Sequence, residues 1–229
     1  VEGYRNFATK LWNATRFCAS NGIGGSATIA APEAKLAVNQ WIIGEVQQTV
    51  ETLDKAMADL RFDAAANCIY HFTWDRFCDW YLELIKPAFI DGEKQEMDSE
   101  SKVVAGWALD QILVMLHPFM PFITEELWHA MASDAPRKYD IIHAKWPAPK
   151  SAVDVEASAE IEWLIKLIDS VRSAKNELGI PPGTKMDAFV RDVSDATKAR
   201  LQSQSGTIAR LGRLENVSTE GAPDGGSIQ

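Results

Sequence analysis

Cysteine is scarce in this sequence and is never paired. Cys18, Cys68 and Cys78 stand at unrelated spacings, with no CxxC among them. That excludes a disulfide framework and gives no zinc-ligand pattern; three small buried side chains in a reducing cytosol are expected instead. Long apolar runs are missing too: none approaches the roughly 18 residues that a membrane-spanning helix needs, so no membrane partner is expected. The first twenty residues are amphipathic and lack the apolar core of a secretory signal. The chain opens Val1-Glu2-Gly3 without an initiator Met and reads as a piece of a longer protein. Nor is there a basic excess: the formal net charge is −9, which excludes a uniformly basic nucleic-acid binder and leaves only local basic faces to be sought.

What is present suits a packed core. Hydrophobic residues make up 46% of the 229 and charged residues 24%, with eight Trp and nine Phe. This composition is globular, and the length fits one large domain or a helical domain followed by a small second one.

Periodicity supplies the elements. Phe7, Leu11, Ala14 and Cys18 recur at helical spacing and predict a helix over residues 1–20, closed by Gly22 as a left-handed cap. Residues 21–34 read as a flexible connection. Gly22-Ile-Gly-Gly-Ser26 is not followed by Gly-Lys-Ser/Thr and is no phosphate-binding loop. Further helices are expected at 35–60, at 63–89 with Asp63 as its cap and Pro87 bending or ending it, and at 99–116. Pro118 and Pro121 should interrupt the pattern before a fifth helix from Thr124 to about Ala132. Residues 139–146 look extended and lead into the linker Pro147-Ala-Pro149. After residue 150 the character changes: a helix at 157–178 stops at Gly179, a strand covers 186–191, a helix 194–211 and a second strand 214–219, before a turn or disordered tail from Gly221. The fold class is therefore mainly α, a helical bundle over 1–150 followed by a small α/β module over 151–229.

Four constellations carry possible chemistry. On the first helix, Asn6, Lys10, Asn13 and Phe17 form a second line beside the apolar stripe, with Arg5, Trp12 and Arg16 further round. Amides that read base edges, a ring that stacks on an unpaired base and cations that hold phosphate are what single-stranded RNA recognition needs; a solvated helix edge is the plain alternative. Between residues 163 and 213 there are nine basic residues (Lys166, Arg172, Lys175, Lys185, Arg191, Lys198, Arg200, Arg210 and Arg213) and five acidic ones, a local excess that suits a phosphate backbone or is ordinary surface charge. Glu126 and His129 make one Glu-x-x-His pair and His71 with Asp75 an i, i+4 pair, but a di-iron bundle needs two such motifs and further glutamates, so no metal site is expected. Asp75, Asp79 and Glu83 form an acidic line in which Arg76 can pair with Asp79. No Ser/His/Asp or Cys/His arrangement stands out, and no catalytic residue is expected.

Three stretches also carry a resemblance. Arg5-Asn-Phe-Ala-Thr-Lys-Leu-Trp-Asn-Ala-Thr-Arg-Phe17 resembles the helix that opens the anticodon-binding domain of valyl-tRNA synthetases. Asp75-Arg-Phe-Cys-Asp-Trp-Tyr-Leu-Glu-Leu-Ile-Lys-Pro87 is similar to that family's third-helix motif, and Leu116-His-Pro-Phe-Met-Pro-Phe-Ile-Thr-Glu-Glu-Leu-Trp128 to the element that follows, with Lys145-Trp146-Pro147 in place after it. The region Val171–Gly183 resembles the small module after the bundle. The resemblance implies an anticodon-binding bundle in which Lys10 and Arg16 contact phosphate or base edges, Asn13 hydrogen-bonds and Phe17 stacks, with Arg172 and Lys175 as backbone contacts. It implies a monomeric cytoplasmic parent that ligates valine to tRNA(Val) using ATP and Mg. The partners of this piece would be that tRNA and the catalytic domain of the same polypeptide. The His-Ile-Gly-His-like and Lys-Met-Ser-Lys-Ser-like signatures of class I synthetases are absent from the 229 residues, as are an editing domain and the family's coiled coil, so the piece itself is expected to bind without catalysing and to need no cofactor. A helical protein-interaction module without RNA binding is the competing expectation.

Overall fold

The computed structural model describes residues 2–26, 28–87, 89–90, 93–132 and 136–221. It divides into two compact units, Val1–Ser158 and Ala159–Gln229. The chain is mainly helical with a small α/β module, as the periodicity indicates.

The first unit is built around one helix. Helices α1 (Glu2–Ser20), α2 (Ala37–Ala58), α3 (Phe62–His71) and α6 (Pro121–Ala130) pack on α5 (Ser99–Leu116). Every residue of α5 from Val104 to Leu116 is buried; a helix that is apolar on nearly all sides has to be enclosed. α1 closes with a Schellman motif: Gly22 has φ +70°, its N–H donates to the Ala19 carbonyl, and Ile23 N–H donates to the Cys18 carbonyl at 2.9 Å while its side chain is buried.

Several expectations are corrected. Residues 21–34 are not a loose connection. The Gly25 N–H donates to Met131 O at 2.7 Å, Ser26 N–H to Asp110 Oδ2 at 2.7 Å and Trp107 Nε1 to Ile29 O at 3.1 Å. Asp110 is buried and is held by Arg137 in a two-pronged ion pair (2.6 and 2.9 Å), and Arg137 in turn lies on the Trp128 ring. Asp63 does not cap: the helix begins at Phe62, and Asp63 sits in its first turn beside Arg61. The third helix does not run to Phe89. It passes from α3 through a π-helical stretch (Phe72–Tyr81) to α4 (Leu82–Leu84), and a short hairpin, β1 (Phe89–Ile90) with β2 (Glu93–Lys94), follows Pro87. Pro121 does not interrupt a helix but starts one, as the first residue of α6. Within 139–146 the backbone makes a 3₁₀ turn at Ile141–His143 rather than an extended run, with Trp128 Nε1 donating to Tyr139 O.

The second unit contains most of α7 (Val155–Glu177), whose first turn holds the boundary. Ile161, Leu164, Ile165 and Ile168 are its buried line. Strands β3 (Met186–Phe189) and β4 (Leu214–Ser218) pair in parallel, with a register shift between Met186 and Ala188. Parallel strands need a crossover. It is made by two helices, α8 (Asp195–Ser203) and α9 (Ser205–Gly212), where one was expected; the break is at Gln204, whose side chain donates to Glu160 at 2.6 Å. The tail beyond Gly221 lies outside the described residues. Among the described residues no helix is long and apolar enough to cross a membrane.

Candidate nucleic-acid interface

α1 turns its apolar stripe inward. Phe7, Leu11, Ala14 and Cys18 are buried, and the Phe7 ring lies 4.8 Å from that of Tyr70. The line Asn6, Lys10, Asn13, Phe17 runs along the border of that stripe: Asn6 and Asn13 are exposed, Lys10 and Phe17 half-buried. Arg5, Trp12 and Arg16 face solvent. Lys10, Asn13, Arg16 and Phe17 thus share one helix surface, with the ring seated and the amides free to meet a partner.

The opposing wall comes from the π-helical stretch, and its geometry decides which side chains meet the edge. Bonds from i to i+5 set residues five apart nearly above one another, whereas in an α-helix they would lie about 140° apart. Accordingly Phe72, Phe77 and Leu82 are all buried, and so are Thr73 and Cys78. On the outer side the same spacing brings Trp74 and Asp79 to one place. Lys10 Nζ hydrogen-bonds Asp79 Oδ1 and stands 5.1 Å from the centre of the Trp74 ring. Further along, Lys86 Nζ is 5.7 Å from the centre of the Phe17 ring and pairs with Glu83.

The expected Arg76–Asp79 pair is replaced for the same reason. Arg76 points to the other side, donating to Glu45 Oε2 on α2 at 2.8 Å and lying over Trp41. Asp75 Oδ2 accepts from His71 Nδ1 at 3.0 Å, the i, i+4 pair expected. Beneath the edge, burial pushes the Cys18 and Cys78 thiols up to about 12. Neither is a thiolate at neutral pH, so the edge holds no thiol nucleophile.

The two candidates in the second unit differ. Arg172 is exposed, with Nε 3.4 Å from Leu211 O and Nη1 4.0 Å from Asp169. Lys175 is buried, and its ammonium donates to three backbone carbonyls: Thr184 (2.8 Å), Gly212 (3.0 Å) and Arg213 (2.8 Å). All three of its donors are used inside the fold, which removes it from a phosphate-contacting surface. A hint was readable: Lys175 follows Ile161 and Ile168 at seven-residue steps, on the buried line of α7. Trp74, Asp79 and Lys86 are the residues that a purely α-helical reading misses. The five-residue recurrence of Phe72, Phe77 and Leu82 was the available signal.

The histidine of the Glu126-x-x-His129 spacing turns to Glu125 and Asp140. His129 Nε2 is 3.0 Å from Glu125 Oε1 and 3.1 Å from Asp140 Oδ1, and Glu125 also accepts the Ile141 N–H. The three ligand atoms lie within 4.8 Å of one another; their hydrogen bonds fasten the 140–141 segment to α6.

Comparison with known proteins adds to this geometry. The family description "Anticodon-binding domain of tRNA ligase" matches residues 39–191, two thirds of the chain. The chain belongs to the anticodon-binding domain family of tRNA ligases. Its whole length also aligns with curated relatives: a valine–tRNA ligase of Rhizorhabdus wittichii at 56% identity over 230 residues, one of Sphingopyxis alaskensis at 50% over 259, and one of Agrobacterium fabrum at 41% over 230. The chain spans about a quarter of those relatives' length, 24–27%. The family match begins at Asn39, so α1 is supported by the full-length relatives rather than by the domain description.

Proposed function

We propose that this chain is the part of a valine–tRNA ligase that reads the anticodon of tRNA(Val). In the parent, catalytic regions outside these residues ligate valine to the tRNA with ATP and Mg; this piece holds no cofactor and contributes binding. The parent acts as a monomer in the cytoplasm, and the rest of the polypeptide is the second partner. The bundle over residues 1–150 supplies the anticodon surface and the module over 151–229 contacts the tRNA backbone.

The carrying observation is the α1 edge, where exposed amides stand beside a half-buried ring and two lysines. On it Asn13 hydrogen-bonds a base edge, Phe17 stacks on an unpaired base, and Arg16 takes phosphate or a base edge. Arg172 is kept as a backbone contact; Lys175 is not, because its donors are spent.

The test is binding of the 229-residue chain to a valine tRNA transcript and to the same transcript with a substituted anticodon. Tighter binding of the first at physiological salt is expected, and equal affinities would remove the anticodon-reading proposal. Phe17→Ala should weaken binding of the matched transcript by about 1–3 kcal/mol.

A further inference from the structure

Lys10 is held unlike a phosphate clamp. A lysine that grips a backbone presents an unpaired ammonium to the anion and releases counterions when it binds. Here the ammonium is already neutralised by Asp79 and lies against the face of Trp74. Those two partners meet it because the π-helical stretch stacks residues 74 and 79 on one side. An ammonium has three N–H donors. Asp79 takes one, and the Trp74 ring lies on a second side, which leaves one donor uncommitted.

We propose that Asp79 is a specificity-determining residue of the RNA site: by neutralising and aiming Lys10, it makes this lysine a base-edge donor rather than a phosphate contact. The inference rests on the RNA-binding reading above and adds a role to a residue that touches no RNA itself. A backbone phosphate reaching Lys10 would have to break the Lys10–Asp79 pair or sit beside a carboxylate, and like charges in contact are unfavourable. A base carbonyl or ring nitrogen is neutral and can accept the remaining N–H with the pair intact. Glu83 pairs with Lys86 beside Phe17, so the second lysine of the edge is balanced as well. Non-specific RNA therefore finds little free charge at these two lysines, while a correctly placed base still finds a charged donor at Lys10.

The experiment compares wild type, Lys10→Met, Asp79→Asn and Asp79→Glu. Each is titrated with the matched and the anticodon-substituted valine tRNA transcripts over a range of salt concentrations, after circular dichroism has shown native helicity. Asp79 is an exposed side chain (43%), so the substitutions leave the core alone. Lys10→Met should lower the preference for the matched transcript about ten- to 150-fold, the size of one hydrogen bond from a charged donor, with the salt slope unchanged. Asp79→Asn should free the ammonium: affinity for the substituted transcript rises, the preference falls, and the salt slope steepens by about 0.7, one added single-strand phosphate contact. Asp79→Glu should restore most of the preference.

If Lys10→Met instead weakens both transcripts equally and makes the slope shallower by about 0.7, Lys10 is a phosphate contact and the inference is overturned while anticodon reading stands. If Asp79→Asn changes neither preference nor slope, the inference is likewise overturned. A wild type that binds both transcripts equally defeats the underlying proposal instead.

Discussion

Lys175→Met separates two roles for one lysine. The substitution keeps most of the stem volume and removes the ammonium that bonds the carbonyls of Thr184, Gly212 and Arg213. These oxygens belong to the turn before β3 and to the end of α9 just before β4, so the lysine ties α7 to the starts of both strands. Each hydrogen bond from a charged donor contributes about 1.5–3 kcal/mol net. Three of them are opposed by the several kcal/mol needed to strip a buried ammonium of water. What remains is a loss of about 2–4 kcal/mol on substitution, since three carbonyls are left without their donor. Lys175→Arg should also destabilise, because a planar guanidinium cannot replace a compact ammonium among three converging oxygens. Urea denaturation of the whole chain measures the loss, and hydrogen exchange at Met186–Phe189 and Leu214–Ser218 locates it in the second unit. Below the unfolding transition, the salt slope for tRNA should match wild type. A variant within 0.5 kcal/mol of wild type whose salt slope is shallower by about 0.7 would refute the reasoning and return Lys175 to the RNA surface.

Three more expectations concern the first unit. Arg137→Met leaves Asp110 buried without its partner and should cost about 3–5 kcal/mol in urea denaturation; a loss under 1 kcal/mol would mean that the pair does not anchor the 22–26 segment. Gly106→Ala drives a new Cβ into the Gly24 carbonyl oxygen, and overpacking of this kind costs about 1–3 kcal/mol, read as a lower urea midpoint. For Glu100, burial pushes the carboxyl up. The hydrogen bonds from Asn39 and from the Leu36 and Lys35 N–H groups outweigh that and hold it below the usual value of 4.5. A carboxyl whose pKa is lowered by folding stabilises above its unfolded pKa, and that stability is lost as pH falls through the lowered value. Acid unfolding of wild type should therefore carry a contribution from Glu100 below about pH 4.5 that Glu100→Gln removes; identical acid profiles would refute it.

Periodic features were legible and cross-chain features were not. α5 could be placed because Val104–Leu116 is apolar nearly throughout, and the caps at Gly22 and Gly179 because a left-handed residue closing a helix favours glycine. Pro121 is ambiguous in the sequence because proline suits the first turn of a helix, where it stands, as well as a break. The clamp on residues 22–26 was invisible: Asp110 and Arg137 are 27 residues apart, and nothing local says that a buried acid on α5 will meet an arginine from beyond α6. The hold of Glu100 on the Lys35 and Leu36 N–H groups just before α2, the latter across 64 residues, was hidden for the same reason.

The π-helical stretch shows how a local departure decides a site. At 100° per residue, Asp75, Asp79 and Glu83 form one acidic stripe, which reads as a solvated face. In the structure the three acids go to three different partners. Asp75 meets His71 within its own helix, Asp79 crosses to Lys10 on α1, and Glu83 meets Lys86 beside Phe17. A net charge of −9 gives the chain as a whole no long-range attraction for RNA. Under the proposed function, recognition would come from short-range contacts, and at Lys10 and Lys86, whose charges are already balanced, the difference between a matched and an unmatched base would not be masked by phosphate affinity common to every RNA. The same acids that make the chain look unlike a nucleic-acid binder are, at positions 79 and 83, the groups that balance the two lysines of the edge.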